Sequence, residues 1–279
     1  MLAAKNDNRR EVKNLYFAIG VKHGDLIGSF CFWISNCLCC IIIVITIIEA
    51  EGRDFRHMKI FMDTANTNEI AELADWGIVY GVTTNPSLIA KTGRQQEQVI
   101  AEICRLIEGP VSAEVISTDC PGMLIEARSM ASIAPNVVVK LPCTVEGLKA
   151  VRLLKKENVR TNVTLVFSLT QALLAVEAGA SYVSPFIGRL DDIGEDGMKI
   201  VEDMVTIFRN YGYKAQIIAA SIRDLNHVHR AMLAGVDIAT IPTKIIREMI
   251  GHKLTDAGLK KFLEDYEESL SKANAGHKI

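Results

Sequence analysis

Over residues 58–279 the sequence predicts a single α/β domain, a closed (β/α)8 TIM barrel finished by a C-terminal helix. Three observations predict it: eight short β-branched runs recur along the stretch, segments of helical apolar period lie between them, and all eight repeats fit into roughly 220 residues. An open doubly wound sheet is the competing arrangement. It usually carries a Gly-rich phosphate turn after its first strand, where this chain reads "DTANTNEI" (63–70), and no nucleotide-binding glycine motif occurs elsewhere.

The first run, "KIFMDT" (59–64), follows Met58 directly, and "NEIAELADW" behind it repeats apolar residues at helical spacing. "VYGVTT" (79–84) is the second strand; the Asn-Pro-Ser after it breaks the strand and starts a helix with Pro at its first position. "EQVIAEICRLI" leads to "VSAEVI" (111–116), "GMLIEARSMASI" to "VVVKL" (137–141), and "EGLKAVRLLKKE" to "TNVTLVF" (161–167). "LTQALLAVEAG" precedes "YVSPFI" (182–187), "GMKIVEDMVTIFRNYG" precedes "QIIAA" (216–220), and "LNHVHRAMLAG" precedes "DIATI" (237–241). The last helix carries an apolar stripe of Leu259, Phe262, Leu263, Tyr266 and Leu270, a pattern that packing on its own barrel would give.

With 279 residues, 49% of them hydrophobic, the chain can bury a full core, and a net charge of −2 with scattered basic residues argues against a nucleic-acid surface. Cys104, Cys120 and Cys143 are dispersed and suit a reducing cytosol better than a disulfide framework. Cys31, Cys37, Cys39 and Cys40 are crowded but lack the paired spacing of a zinc site.

Residues 1–57 form an atypical hydrophobic extension. No charge occurs from Leu26 to Ile48, and "FCFWISNCLCCIIIVITII" (30–48), preceded by Lys5, Arg9, Arg10, Lys13 and Lys22, is long enough to act as a membrane anchor. The abrupt change of composition at Met58 favours the other reading, translation upstream of a true start at Met58, with a cytoplasmic protein as the result.

In barrel enzymes the chemistry sits at the C-terminal ends of the strands. The strands deliver there Asp63, Thr83 with Asn85, Glu114, Lys140, Asn162 with Thr164, and Ser184; Arg189 follows the sixth strand, and Ser221 with Arg223 follows the seventh. One lysine, two carboxylates, hydroxyls, amides and two guanidiniums suit a polar, phosphorylated substrate. Each has a blander alternative: Lys140 could only pair with Glu114 or Asp63, Asp63 with Asn66 or Asn68 could only cap the first helix, and the arginines could be surface residues. Delivery from five or more strand ends favours a site.

Lysine in such a pocket has a specific use. A desolvated free amine can attack a ketone and form a protonated imine, an electron sink that permits carbon–carbon cleavage two atoms away. One carboxylate must then take the hydroxyl proton while a second handles water and carbinolamine protons, and Asp63 and Glu114 supply that pair. Metal-assisted aldol chemistry would need histidines, and the six present form no cluster; His227 and His229, two apart on a helix, are expected at the surface. No metal and no cofactor is expected.

The motifs "DTAN", "GVTTNPSLIAK", "EV", "VVKLPCTVEGLKA", "TNVTLVFS", "SPFIGRLDD", "AASIR" and "LTDAGLKKF" resemble the transaldolase family, its small single-barrel bacterial members in particular, over essentially all of 58–279. The resemblance implies Lys140 as Schiff-base lysine, Asp63 as the acid/base for bond cleavage and re-formation, and Glu114 acting through a water held with Thr164. It implies that Thr83, Asn85, Asn162 and Ser184 hold sugar hydroxyls and that Arg189, Ser221 and Arg223 bind the terminal phosphate. The implied reaction moves a dihydroxyacetone unit from sedoheptulose 7-phosphate to glyceraldehyde 3-phosphate, a step of the non-oxidative pentose phosphate pathway. Glu114 and Phe186 follow the transaldolase pattern, whereas the fructose-6-phosphate aldolase type, which releases dihydroxyacetone, typically has Gln and Tyr there. A catalytically idle, membrane-tethered sugar-phosphate binding protein is the other alternative. A homo-oligomer, a pentameric ring or a decamer of paired rings, is implied as well, with the C-terminal helix and its apolar stripe reaching a neighbouring subunit; residues 1–57 depart from the family.

Overall fold

A computed structural model describes residues 57–276. The β-branched runs form eight strands: β1 (Lys59–Asp63), β2 (Val79–Thr83), β3 (Val111–Glu114), β4 (Val137–Pro142), β5 (Thr161–Val166), β6 (Tyr182–Pro185), β7 (Gln216–Ala219) and β8 (Ile238–Ile241). Neighbours in sequence pair in parallel, and β1 also pairs with β8, so the sheet closes on itself. Closure leaves no free edge. The expected (β/α)8 barrel is the observed one.

The connecting helices cover the barrel wall. They are α1 (Thr67–Ala74), α2 (Pro86–Thr92), α3 (Gln96–Leu106), α4 (Cys120–Ala131), α5 (Val145–Lys156), α6 (Leu169–Ala178), α7 (Ile187–Asp191), α8 (Gly197–Tyr211), α9 (Leu225–Ala234), α10 (Thr243–Ile250) and α11 (Lys253–Gly276). Most start on a side-chain cap: Asn66, Asn85, Asp119, Thr144, Ser168, Asp196 and Asp224 each accept a hydrogen bond from a backbone amide of the first turn. The five-residue α7 carries too few turns to show a period in the sequence.

Because side chains alternate along a strand, each strand presents one set to the helices and one to the barrel interior. Outward residues such as Met62, Val82, Val139 and Val163 join the large core between sheet and helices. Inward, Phe61, Val138, Tyr182, Ile218 and Ile238 pack into a separate apolar plug. Full burial of side chains of this size contributes about 1.5–3 kcal/mol each. Room for Phe61 depends on Gly81, where a Cβ would lie 2.7 Å from the Phe61 ring and 2.6 Å from the Pro110 carbonyl oxygen. Two residues further along four of these strands, the inward positions turn polar; beyond Ile218 the position is Ala220.

On α11, Leu259, Phe262, Leu263, Tyr266 and Leu270 are all exposed, so this stripe does not pack on its own barrel. No helix among the described residues is long and apolar enough to cross a membrane. The apolar stretch 26–48 lies outside the described residues.

Candidate active site

Stepping two residues toward the C-terminal end from Phe61, Val138, Tyr182 and Ile238 gives Asp63, Lys140, Ser184 and Thr240. With Thr83, Asn85, Phe186, Arg189, Ala220, Ser221 and Arg223 they line one cavity of about 190 Å³ at the C-terminal mouth of the barrel. The apolar plug is its floor.

Lys140 is buried at 4% exposure. Its Nζ lies 2.9 Å from Glu114 Oε2, one strand away in register, and donates to the Thr84 carbonyl oxygen at 3.2 Å. Glu114 is itself largely buried and its backbone oxygen accepts from Gln96 Nε2 at 2.9 Å, which fixes the end of β3. The ion pair that the sequence left as the blander alternative is therefore present, and it stands at the wall of the cavity. A carboxylate this close can accept the proton that Lys140 must lose before its amine can attack a carbonyl.

Asp63 does not cap α1, a role that Asn66 takes by accepting from the Asn68 amide. Its Oδ1 accepts from Thr83 Oγ1 at 3.0 Å, and Thr83 Oγ1 is 2.6 Å from Thr240 Oγ1. With the Thr83 proton committed to Asp63, Thr240 donates to Thr83, making a short relay. Burial pushes the Asp63 carboxyl above its usual range; the Lys140 charge and the Thr83 hydrogen bond oppose that rise, and the Glu114 charge adds to it. Such a group suits proton transfer.

The remaining polar residues are held by one another. Ser184 Oγ donates to Asn162 Oδ1 at 2.7 Å, and Asn162 Nδ2 donates to Ser112 Oγ at 3.2 Å, all three buried. Asn162 thus meets the cavity through Ser184. Asn85 uses its Oδ1 to cap α2 by accepting from the Leu88 amide at 2.9 Å, so its Nδ2 is the atom that can face a ligand. Thr164 sits where the β5–β6 register shifts between Val163 and Val166, beside Leu165 at φ 57°. Its Oγ1 is the one buried side-chain oxygen among the described residues with no hydrogen-bond partner. Such an orphan commonly marks a water or ligand position.

At the rim, Arg189 on α7 and Arg223 beyond β7 are exposed, as surface residues are, yet both line the cavity. Arg223 Nη2 donates to Asp192 Oδ2 at 2.8 Å; Arg189 makes no ion pair among the described residues and lies with its guanidinium carbon 5.9 Å from the Phe186 ring centre. Between them Ser221 adopts φ 60°, a left-handed backbone rare outside glycine. Gly188 allows the two loops to meet: its amide donates to the Ser221 carbonyl, and a Cβ there would lie 2.5 Å from that oxygen.

Nine of the candidate residues line the cavity directly; Glu114, Asn162 and Thr164 stand behind it, the first two joined to it through Lys140 and Ser184. One expectation is corrected: His229 is exposed, but His227 is buried, because its ring reaches back from the first turn of α9 to Asp191 Oδ2 at 2.9 Å. Thr240 and Ser112 were missed. A polar residue in an otherwise apolar strand, as in "IATI", was the available signal for Thr240.

The sequence signature "Transaldolase/Fructose-6-phosphate aldolase" matches residues 60–278. The chain is 58% identical over 212 residues to a "Probable transaldolase" of Caldicellulosiruptor saccharolyticus, covering 76% of this chain and 98% of that protein. It is also 58% identical over 211 residues to a "Probable transaldolase" of Geotalea uraniireducens, covering 76% and 99%, and 58% identical over 210 residues to one of Clostridium botulinum (strain Eklund 17B / Type B), covering 75% and 98%.

Proposed function

The chain belongs to the transaldolase/fructose-6-phosphate aldolase family, and we propose that it works as a transaldolase, moving a dihydroxyacetone unit between sugar phosphates through an imine on Lys140. The observation that carries this reading is a buried lysine 2.9 Å from one carboxylate, in a cavity that also holds a second, Asp63, whose proton affinity is raised by burial. A metal-independent mechanism fits, since these side chains supply the nucleophile and both proton carriers.

The donor's C2 carbonyl is attacked by the neutral amine of Lys140, whose proton passes to Glu114. Loss of water from the carbinolamine gives the protonated imine; Glu114, with a water held by the otherwise unpartnered Thr164 hydroxyl, returns the proton that the leaving water needs. The C3–C4 bond then breaks as Asp63 takes the proton of the C4 hydroxyl, the aldehyde leaves, and the bond's electron pair is kept as an enamine on Lys140. An acceptor aldehyde reverses these steps. Asn85, Ser184 and, through Ser184, Asn162 are suited to sugar hydroxyls, and Arg189, Ser221 and Arg223 to the terminal phosphate.

Borohydride reduction in the presence of fructose 6-phosphate tests this reading. One sugar-derived fragment is expected on the peptide containing Lys140; a label on another lysine, or full activity in Lys140→Ala, would overturn it. Comparing transfer to erythrose 4-phosphate with release of free dihydroxyacetone separates transaldolase from aldolase. Glu114 and Phe186, the transaldolase pattern, favour transfer. The exposed stripe of α11 supports a homo-oligomer, with a second copy of the chain as its cover.

A further inference from the structure

His227 is the one buried histidine among the described residues, and the chemistry above does not use it. Both ring nitrogens are engaged, in opposite senses. Nδ1 accepts from the Arg223 backbone amide at 3.2 Å, and Nε2 lies 2.9 Å from Asp191 Oδ2. Those partners fit a ring with its proton on Nε2. Asp191 is fixed in turn, its Oδ1 accepting from the Gly197 amide at 3.0 Å. The imidazole therefore joins the end of α7, two residues beyond Arg189, to the loop that carries Ser221 and Arg223.

That loop needs holding. Ser221 is in the left-handed region, and a residue there persists only when its surroundings over-determine it. Three further links bind the same two segments: the Ile187 amide to the Ala220 carbonyl at 2.9 Å, the Gly188 amide to the Ser221 carbonyl at 3.0 Å, and Arg223 to Asp192. The first two hold the loop before Arg223, and the third reaches only its exposed side-chain tip. Among the described residues, His227 alone grips the backbone of Arg223 itself.

We infer that His227, oriented by Asp191, is a positioning residue that holds Ser221 and Arg223 in register with Arg189, so that the rim of the cavity is preorganised for a phosphate dianion. The inference rests on the reading of Arg189 and Arg223 as the phosphate site. Its effect is on preference for phosphorylated substrates, because the groups that carry the imine chemistry lie on other strands.

The test compares kcat/KM for glyceraldehyde 3-phosphate and for unphosphorylated glyceraldehyde at saturating sedoheptulose 7-phosphate, each read as released erythrose 4-phosphate. In a ping-pong scheme each value reports only the capture of acceptor by the enamine, and general loss of folded protein lowers both equally. His227→Gln places an amide near Nε2 and lacks the Nδ1 acceptor, whereas His227→Asn keeps an oxygen near Nδ1 and loses Asp191. His227→Ala and His227→Gln should lower the ratio of the two values roughly tenfold, the scale of one lost hydrogen bond to the site, and His227→Asn should recover most of it. An unchanged ratio in His227→Gln, or an equal loss in His227→Asn and His227→Gln, would overturn the positioning role; this pair carries the test if His227→Ala does not fold. Arg189→Ala and Arg223→Ala separate the two readings. If they leave the ratio unchanged, the phosphate site itself is wrong and the inference falls with it; if they lower it while the His227 variants do not, only the inference falls.

Discussion

Lys140 Nζ and Glu114 Oε2 are 2.9 Å apart across the β3–β4 register, in a barrel interior where an unpaired ammonium would cost several kcal/mol. The pair answers the electrostatic problem of a lysine in the apolar run "VVVKLP" and supplies the lysine with a proton acceptor. Glu114→Gln keeps the shape and removes the charge. Imine formation should slow by about 10²–10⁴-fold, the usual contribution of a positioned general acid or base. Single-turnover borohydride trapping measures it directly, and trapping at the rate of the unsubstituted protein would remove Glu114 from the mechanism.

The relay from Thr240 through Thr83 to Asp63 sets a pH dependence. If Asp63 takes the hydroxyl proton as proposed, it must be ionised to do so, and the acid limb of kcat/KM for fructose 6-phosphate should follow its titration. Burial holds this carboxyl high, while Lys140 and the Thr83 hydrogen bond hold it down. Thr83→Val removes the hydrogen bond, and the acid limb should move to higher pH. Thr240→Val should move it the same way by less, since it weakens only the donor's polarisation. A limb that stays in place in Thr83→Val would mean that another group governs it.

Stability carries the same signature. A carboxyl whose folded pKa is raised binds its proton more tightly in the folded chain than in the unfolded one, so stability falls as pH rises through that window. Above it, ionised Asp63 is a standing cost. Asp63→Asn, which can still accept from Thr83, should therefore raise the melting temperature at pH 7.5, by ~2–4 °C for each kcal/mol recovered. The gain should vanish below about pH 4, where the unfolded chain also binds the proton. A lower melting temperature at pH 7.5 would show the ionised carboxylate to be net stabilising.

The strands were legible because each is a short β-branched run bounded by breakers, and the strand-end rule then turned the last polar residue of each run into a candidate. That rule found Asp63, Glu114 and Lys140, whose inward direction follows from alternation alone. It worked less well where a helix hides the geometry. His227 looked like a surface residue because a two-residue offset from His229 on a helix says nothing about a ring folding back over the N-terminus. Thr240 was passed over because a single threonine in "IATI" is as common in a buried strand as in a site. The strained turn at Ser221 and the bulge at Thr164 leave no mark in residue type, since neither position is glycine.

The apolar stripe of α11 gives the last prediction. Phe262 and Leu263 are 72% and 64% exposed, and Leu259, Tyr266 and Leu270 continue the face along the helix. An apolar strip of this kind on an amphipathic helix is normally covered. If a second copy covers it, Phe262→Glu with Leu263→Glu should shift the mass measured by light scattering from an assembly toward a single chain. The cavity lies at the mouth of the barrel and none of its lining residues belongs to α11. A mass that is monomeric in both proteins would refute self-association, and an assembly that survives the double substitution would move the interface to another face.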